Sequence, residues 1–291
     1  MRRVKIDNRA ASDIDKIVDR IHRDIGNPTE KVDLAAVRHV VKLDLEYYRS
    51  SDSGLLKDVV HKLQLGAKQI IERPTILIDA IRKFDLRALI LPDQKRILLD
   101  QDQHPLKLRW NEAHEISHGV TPWHVAYALG DDGTTLSPQC QEVIEAEANW
   151  GAGRLLFPKK VLLDLASGVR PSLKLVGTVE KQFGNTKTST LWRVVENSEF
   201  PAFGVVGEHP HHAPADKPII AHFIQSASFA EQFPNLTEAE VIAALRSVCS
   251  YGKKGPLGEG EVTFTDANGV PRTFLVGIFC NGYQCLSVGS A

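Results

Sequence analysis

The chain has 291 residues, 43% of them hydrophobic and 24% charged, with a net charge near zero. That composition is ordinary for a soluble globular protein with a sizeable core, and its length suggests one large or two smaller domains. A near-neutral balance gives no general basic face, so direct nucleic-acid binding is not expected. No run approaches the ~18 apolar residues of a membrane span. The N-terminus has basic residues but no apolar core of a secretory signal, so a cytoplasmic protein is expected. Cys140, Cys249, Cys280 and Cys285 are scattered without a C-x-x-C pair, which reads as free thiols.

In chain order, the region up to about residue 63 reads as helices. "NPTEKVDLAAVRHVVKL" offers Asn27 as an N-cap, Pro28 at the first helical position and Glu30 three residues after the cap. "LDLEYY" then alternates like a strand, and "TILIDAIRKF" is either a buried strand or a helix start. "LRALILPDQKRILLD" reads as a hairpin around Pro92-Asp93. "KLRWNEAHEISHGV" has helical spacing, ended by Gly119 and Pro122. A polar loop with Asp131-Asp132-Gly133 leads to Ser137-Pro138, a good cap for the helix "QCQEVIEAEANWGAGRLLF". "PSLKLVGTVEKQFGNTKTSTLWRVVEN" reads as helix, Gly-Asn turn, helix. Beyond residue 200 strand-like runs appear: "KPIIAHFI", "GEVTFTD" and "RTFLVGIFC", with a hairpin turn at Asp266-Ala267-Asn268-Gly269 and a capping box at Thr237 and Glu240. The expected architecture is α+β: a mostly helical domain with a small sheet over residues 1–200, a boundary near 198–216, and a smaller α+β domain over 215–291.

The chemistry concentrates in "HEISHGVTPWH". His114 and His118 are four apart, so a helix stacks them on one face, where both imidazoles can reach one ion. Glu115, next to the first histidine, is placed to take a proton from a water polarised by that ion and to pass it to the leaving amine. A catalytic zinc has three protein ligands, so a third is needed. His124 has the H-E-x-x-H-x-x-x-x-x-H count of the metzincins. That class needs glycine where this chain has Thr121, and a later Met-turn, whereas the only methionine is Met1. The other candidates are Glu142, Glu145 and Glu147 on the next helix. Ala148, Ala152 and Leu155 define its buried stripe; Glu145 continues the stripe one turn back, Glu142 lies a further turn back, and Glu147 points roughly the opposite way. A carboxylate in line with that stripe is costly to bury without a cation, which favours Glu145.

These residues resemble the ImmA/IrrE-type metallopeptidases. That family carries R-F-x-x-x-H-E-x-x-H followed by E-x-x-A-x-x-F-A-x-x-L-L-x-P. Arg109 to His118 are similar to the first segment and Glu145 to Pro158 to the second. The likeness extends weakly over residues 27–197. It implies a zincin-like fold, a site with His114, His118 and Glu145 as metal ligands and Glu115 as catalytic base, and zinc, or alternatively manganese, as the ion. It also implies an intracellular endopeptidase that cuts a helix-turn-helix repressor in a stress or mobile-element circuit. Two departures from the pattern matter. The family's Phe is Gly151, with Trp150 beside it, and the usual glycine before the second histidine is Ser117. The alternative function is a metal-binding regulatory module without turnover, acting through the C-terminal domain.

Two further features have plainer readings. The helical pair over residues 172–196 could read DNA, but its basic residues are few and packing on the core explains it. His209, His211 and His212 in "EHPHHAP" could hold a second metal, or belong to a Pro-rich exposed linker.

Overall fold

A computed structural model describes residues 6–48, 88–91, 95–124, 138–212 and 219–291. The segment "TILIDAIRKF", the Pro92-Asp93 turn, the Asp131–Gly133 loop and the Ser137 cap lie outside them. The fold is mixed α+β, as the sequence predicts, and divides into two compact units, Met1–Pro158 and Lys159–Ala291.

In the first unit, α1 (Asn8–Asp24) buries Ile14, Val18 and Ile21 along one face. The chain leaves it through Gly26 and Asn27, both at positive φ. Asn27 is therefore the exit of α1 and not the cap of the next helix. That helix, α2 (Leu34–Val41), is capped by Asp33, whose carboxylate accepts from the Ala35 amide at 2.9 Å. The strands β1 (Asp44–Tyr48), β2 (Ala88–Leu91) and β3 (Arg96–Asp100) form a sheet of order β1-β3-β2. The hairpin β2–β3 pairs antiparallel, from Ala88 opposite Leu99 to Leu91 opposite Arg96, whereas β1 lies parallel to β3. The central strand β3 is buried from Ile97 to Asp100, which explains its unbroken apolar run.

Two helices complete this unit and carry the site. Helix α3 (Pro105–Val120) starts with His104, whose Nδ1 accepts from the Leu106 amide, and with Pro105 at the first position. It ends at Thr121, extended at φ −92°. Helix α4 (Pro138–Leu156) packs on α3 and on α1. Ala148, Ala152 and Leu155 are fully buried, as their spacing predicts. From α1, Asp15 grips α4 through both carboxylate oxygens on Arg154 (2.8 and 2.9 Å) and through the Trp150 indole N–H (2.9 Å). The Trp150 ring is thus held by an acid on a neighbouring helix and stacked under the Arg154 guanidinium.

The second unit is a five-stranded antiparallel sheet, order β5-β4-β8-β7-β6, with helices packed against it. Its elements are α5 (Lys159–Ala166), α6 (Leu173–Phe183), α7 (Lys187–Glu196), β4 (Ala202–Gly207), β5 (Ile220–Gln225), α8 (Ala227–Gln232), α9 (Glu238–Val248), β6 (Gly255–Thr265), β7 (Pro271–Cys280) and β8 (Cys285–Ser290). Helices α6 and α7, grouped with the N-terminal domain by the sequence reading, pack on this sheet. The turn between them is Gly184 in the left-handed region followed by Asn185, as expected. Ring contacts of 4.9–5.8 Å join Phe203, Phe229, Phe233, Phe264 and Phe274 in the core under α8 and α9. The capping box at Thr237 and Glu240 and the turn at Asp266–Gly269 form as predicted.

Candidate metal centre

Helix α3 places His114 and His118 one turn apart, and their Nε2 atoms lie 3.1 Å from each other. From α4, Glu145 brings Oε2 to 3.2 Å from His114 Nε2 and Oε1 to 3.6 Å from His118 Nε2. Among the described residues this is the one group of three or more His, Cys, Asp or Glu side chains whose ligand atoms all lie within 4.8 Å. Ligands about 2.0–2.1 Å from a tetrahedral zinc stand about 3.3 Å apart, so these separations match that donor set.

The proton positions agree. His114 Nδ1 lies 3.2 Å from Asn149 Oδ1, a partner that only accepts, so Nδ1 carries the proton and Nε2 presents its lone pair. Two lone pairs facing each other at 3.1 Å, beside a carboxylate, call for a cation or a proton between them. Without a metal the histidine takes the proton. Burial opposes charge on His114, but the Glu145 hydrogen bond and the carboxylates of Glu115 and Glu145 outweigh it and raise its pKa. The two histidines in turn hold the Glu145 carboxyl well below the usual range, chiefly through their hydrogen bonds. Glu145 is half exposed, so the side chain that closes the donor set also faces solvent.

Glu115 is buried beside the histidines. Burial, with the nearby Glu145 carboxylate, raises its pKa, against smaller opposing effects of His114, His118 and a hydrogen bond from the Ile90 backbone. Ile90 belongs to β2, which ties the sheet to the site.

His124 is not among the converging donors. It is buried, and both its ring nitrogens are taken: Nδ1 faces His118 Nδ1 at 3.1 Å, and Nε2 faces Glu147 Oε2 at 2.8 Å. The same Glu147 oxygen accepts from the Trp123 indole N–H at 2.6 Å. Glu147 does turn away from Glu145, but into a buried pocket rather than into solvent. Glu142 stays exposed. Sequence reasoning missed Glu147 and Asn149 as partners of the site. Asn149 was within reach of spacing alone, lying four residues after Glu145 on the same face of α4.

The histidines of "EHPHHAP" are tied down rather than loose. His209 Nε2 meets the Gly252 carbonyl at 2.9 Å, His211 Nε2 meets that of Cys249 at 3.0 Å, and the His211 ring stacks on Tyr251 at 4.2 Å. In α7, Arg193 pairs with Glu196 and Lys187 with Glu180, so the two basic residues a DNA reading would use have acidic partners. No helix among the described residues is long and apolar enough to cross a membrane.

No family profile matches the sequence. Over 122 residues the chain is 28% identical to the radiation response metalloprotease IrrE of Deinococcus deserti, a match that spans 40% of this chain and 41% of that protein. In fold it is similar to a Mycobacterium tuberculosis transcriptional regulator, with a TM-score of 0.53 over 96% of this chain and 86% of that one; at 13% identity the likeness is one of architecture. The chain thus stands in a distant relationship to the IrrE metalloprotease.

Proposed function

We infer that the chain is a zinc-dependent endopeptidase whose metal is held by His114, His118 and Glu145. The observation that carries this reading is the convergence of two imidazole nitrogens and one carboxylate at tetrahedral spacing beside a buried glutamate. The bound ion would supply Lewis acidity and make water acidic enough to act near neutral pH. Manganese would fit the same donors with less preference for imidazole. Glu115, fixed by burial and by the Ile90 backbone, takes the proton from the attacking water and returns it to the leaving nitrogen. Strand β2 is an edge of the three-stranded sheet among the described residues, and an extended peptide can add to such an edge through main-chain hydrogen bonds. The substrate we infer is a helix-turn-helix repressor, by likeness to the family.

The test is incubation of the zinc-loaded chain with purified helix-turn-helix repressors and with a panel of unrelated proteins, the products mapped by mass spectrometry. The reading predicts a discrete internal cut in a repressor, absent with Glu115→Gln. A chain fully loaded with zinc that leaves every repressor and every panel protein intact contradicts it.

A further inference from the structure

His118 is the end of a hydrogen-bonded chain that begins at a buried carboxylate. Glu147 lies inside the protein, and a carboxylate there is costly unless donors surround it. Both its donors, Trp123 Nε1 and His124 Nε2, come from the segment just after α3. Anchoring that segment to α4 needs no more than this. The other nitrogen of His124, however, lands on His118 Nδ1, the ring nitrogen turned away from the converging donors.

The protons follow in one order. For His118 Nε2 to offer a lone pair towards His114 and Glu145, the proton must sit on Nδ1. Nδ1–H then donates to His124 Nδ1, which must be unprotonated. The proton of His124 is therefore on Nε2, where it donates to Glu147. One carboxylate at the far end sets the tautomer of both rings.

We propose that His124 and Glu147 are positioning residues for the metal centre: Glu147 orients His124, and His124 holds His118 in the tautomer and rotation that bind the ion. This rests on the metal-site reading above. It also accounts for His124 standing at the spacing where another protease class keeps a ligand. Binding metal directly would require it to abandon both His118 and Glu147, leaving that carboxylate with Trp123 alone.

The test measures zinc affinity of the full chain by chelator competition, together with the visible spectrum of the cobalt-substituted protein. It compares wild type, Glu147→Gln, His124→Phe and the ligand variant Glu145→Ala. Glu147→Gln keeps the shape but removes the negative charge that holds the proton on His124 Nε2 and orders the two rings, so it decides the matter if His124→Phe fails to fold. The proposal predicts zinc binding about 10–100-fold weaker in Glu147→Gln, with shifted cobalt bands, while metal-free melting changes little. Affinity within about twofold of wild type and an unshifted spectrum overturn it, given the factor expected of such partners. If Glu145→Ala itself binds zinc like wild type, the metal-site reading fails and takes the proposal with it. If Glu145→Ala loses zinc but Glu147→Gln does not, the positioning role alone fails.

Discussion

Ser117 and Gly151 are fitted to one another across the contact between α3 and α4. A Cβ built on Gly151 would lie 2.1 Å from Ser117 Oγ and 3.1 Å from Ser117 Cβ. Both positions are among those that differ from the metallopeptidase motif the sequence resembles, and they touch. A serine where glycine is usual fills the space that a side chain at 151 would need. The Ser117 hydroxyl is buried and has no hydrogen-bond partner among the described residues, so it contributes bulk and little else.

Gly151→Ala should therefore destabilise the first unit by about 1–3 kcal/mol through overpacking, against a gain of ~1 kcal/mol in helix propensity. Ser117→Ala should be neutral or slightly stabilising, because it removes an unsatisfied buried hydroxyl. The pair should be non-additive, Ser117→Ala relieving at least ~0.5 kcal/mol of the Gly151→Ala cost. Urea unfolding of the four proteins measures the coupling; strict additivity would show that the two residues do not crowd one another.

His22 supplies a pH prediction away from the metal centre. It is buried on α1, with Nε2 3.0 Å from the Leu155 carbonyl. Burial lowers its pKa, against smaller opposing effects of that hydrogen bond and of Asp19. The folded state thus holds its proton less tightly than the unfolded chain, which takes it up near pH ~6.5. Stability from the neutral ring is fully present above that pH and is lost as pH falls towards the lower folded value, at no more than ~1.4 kcal/mol per pH unit. His22→Gln keeps a donor for the Leu155 carbonyl and removes the titration. Comparing wild type and variant unfolding at pH 7.5 and 5.5 should show a smaller loss in the variant; equal losses would contradict the assignment.

Metal should stabilise the unit that holds it. Zinc at about a hundredfold over its dissociation constant adds ~2.7 kcal/mol, equivalent to roughly 5–10 °C in melting temperature for a unit of this size. His114→Ala, His118→Ala and Glu145→Ala should each lose most of that gain, and Glu142→Ala should keep it. Differential scanning calorimetry with and without zinc distinguishes them. A full zinc shift in Glu145→Ala would remove that residue from the donor set.

What could be read in the sequence follows from periodicity. The stripe Ala148–Ala152–Leu155 and the spacing of His114 and His118 are local to single helices, and the structure has both. The hairpin β2–β3 and the capping box at Thr237 are likewise local. What depends on a second segment was hidden. Glu147 lies about 200° round the helix from Glu145, which says it turns away but not that the segment after α3 meets it there. The strands β4 and β8 are buried along their whole length, so they lack the alternation that marks a half-exposed strand. At Asn27 two local signals competed, since asparagine suits a left-handed helix exit as well as an N-cap, and Asp33 was the better cap.

The central claim is that Glu115 does the proton transfer at a metal held by its neighbours. Zinc content and peptide-bond cleavage measured side by side on wild type and Glu115→Gln test it most directly. The account predicts equal zinc in both proteins, with cleavage falling by at least about a hundredfold in the variant. Undiminished cleavage in a zinc-loaded Glu115→Gln would contradict it.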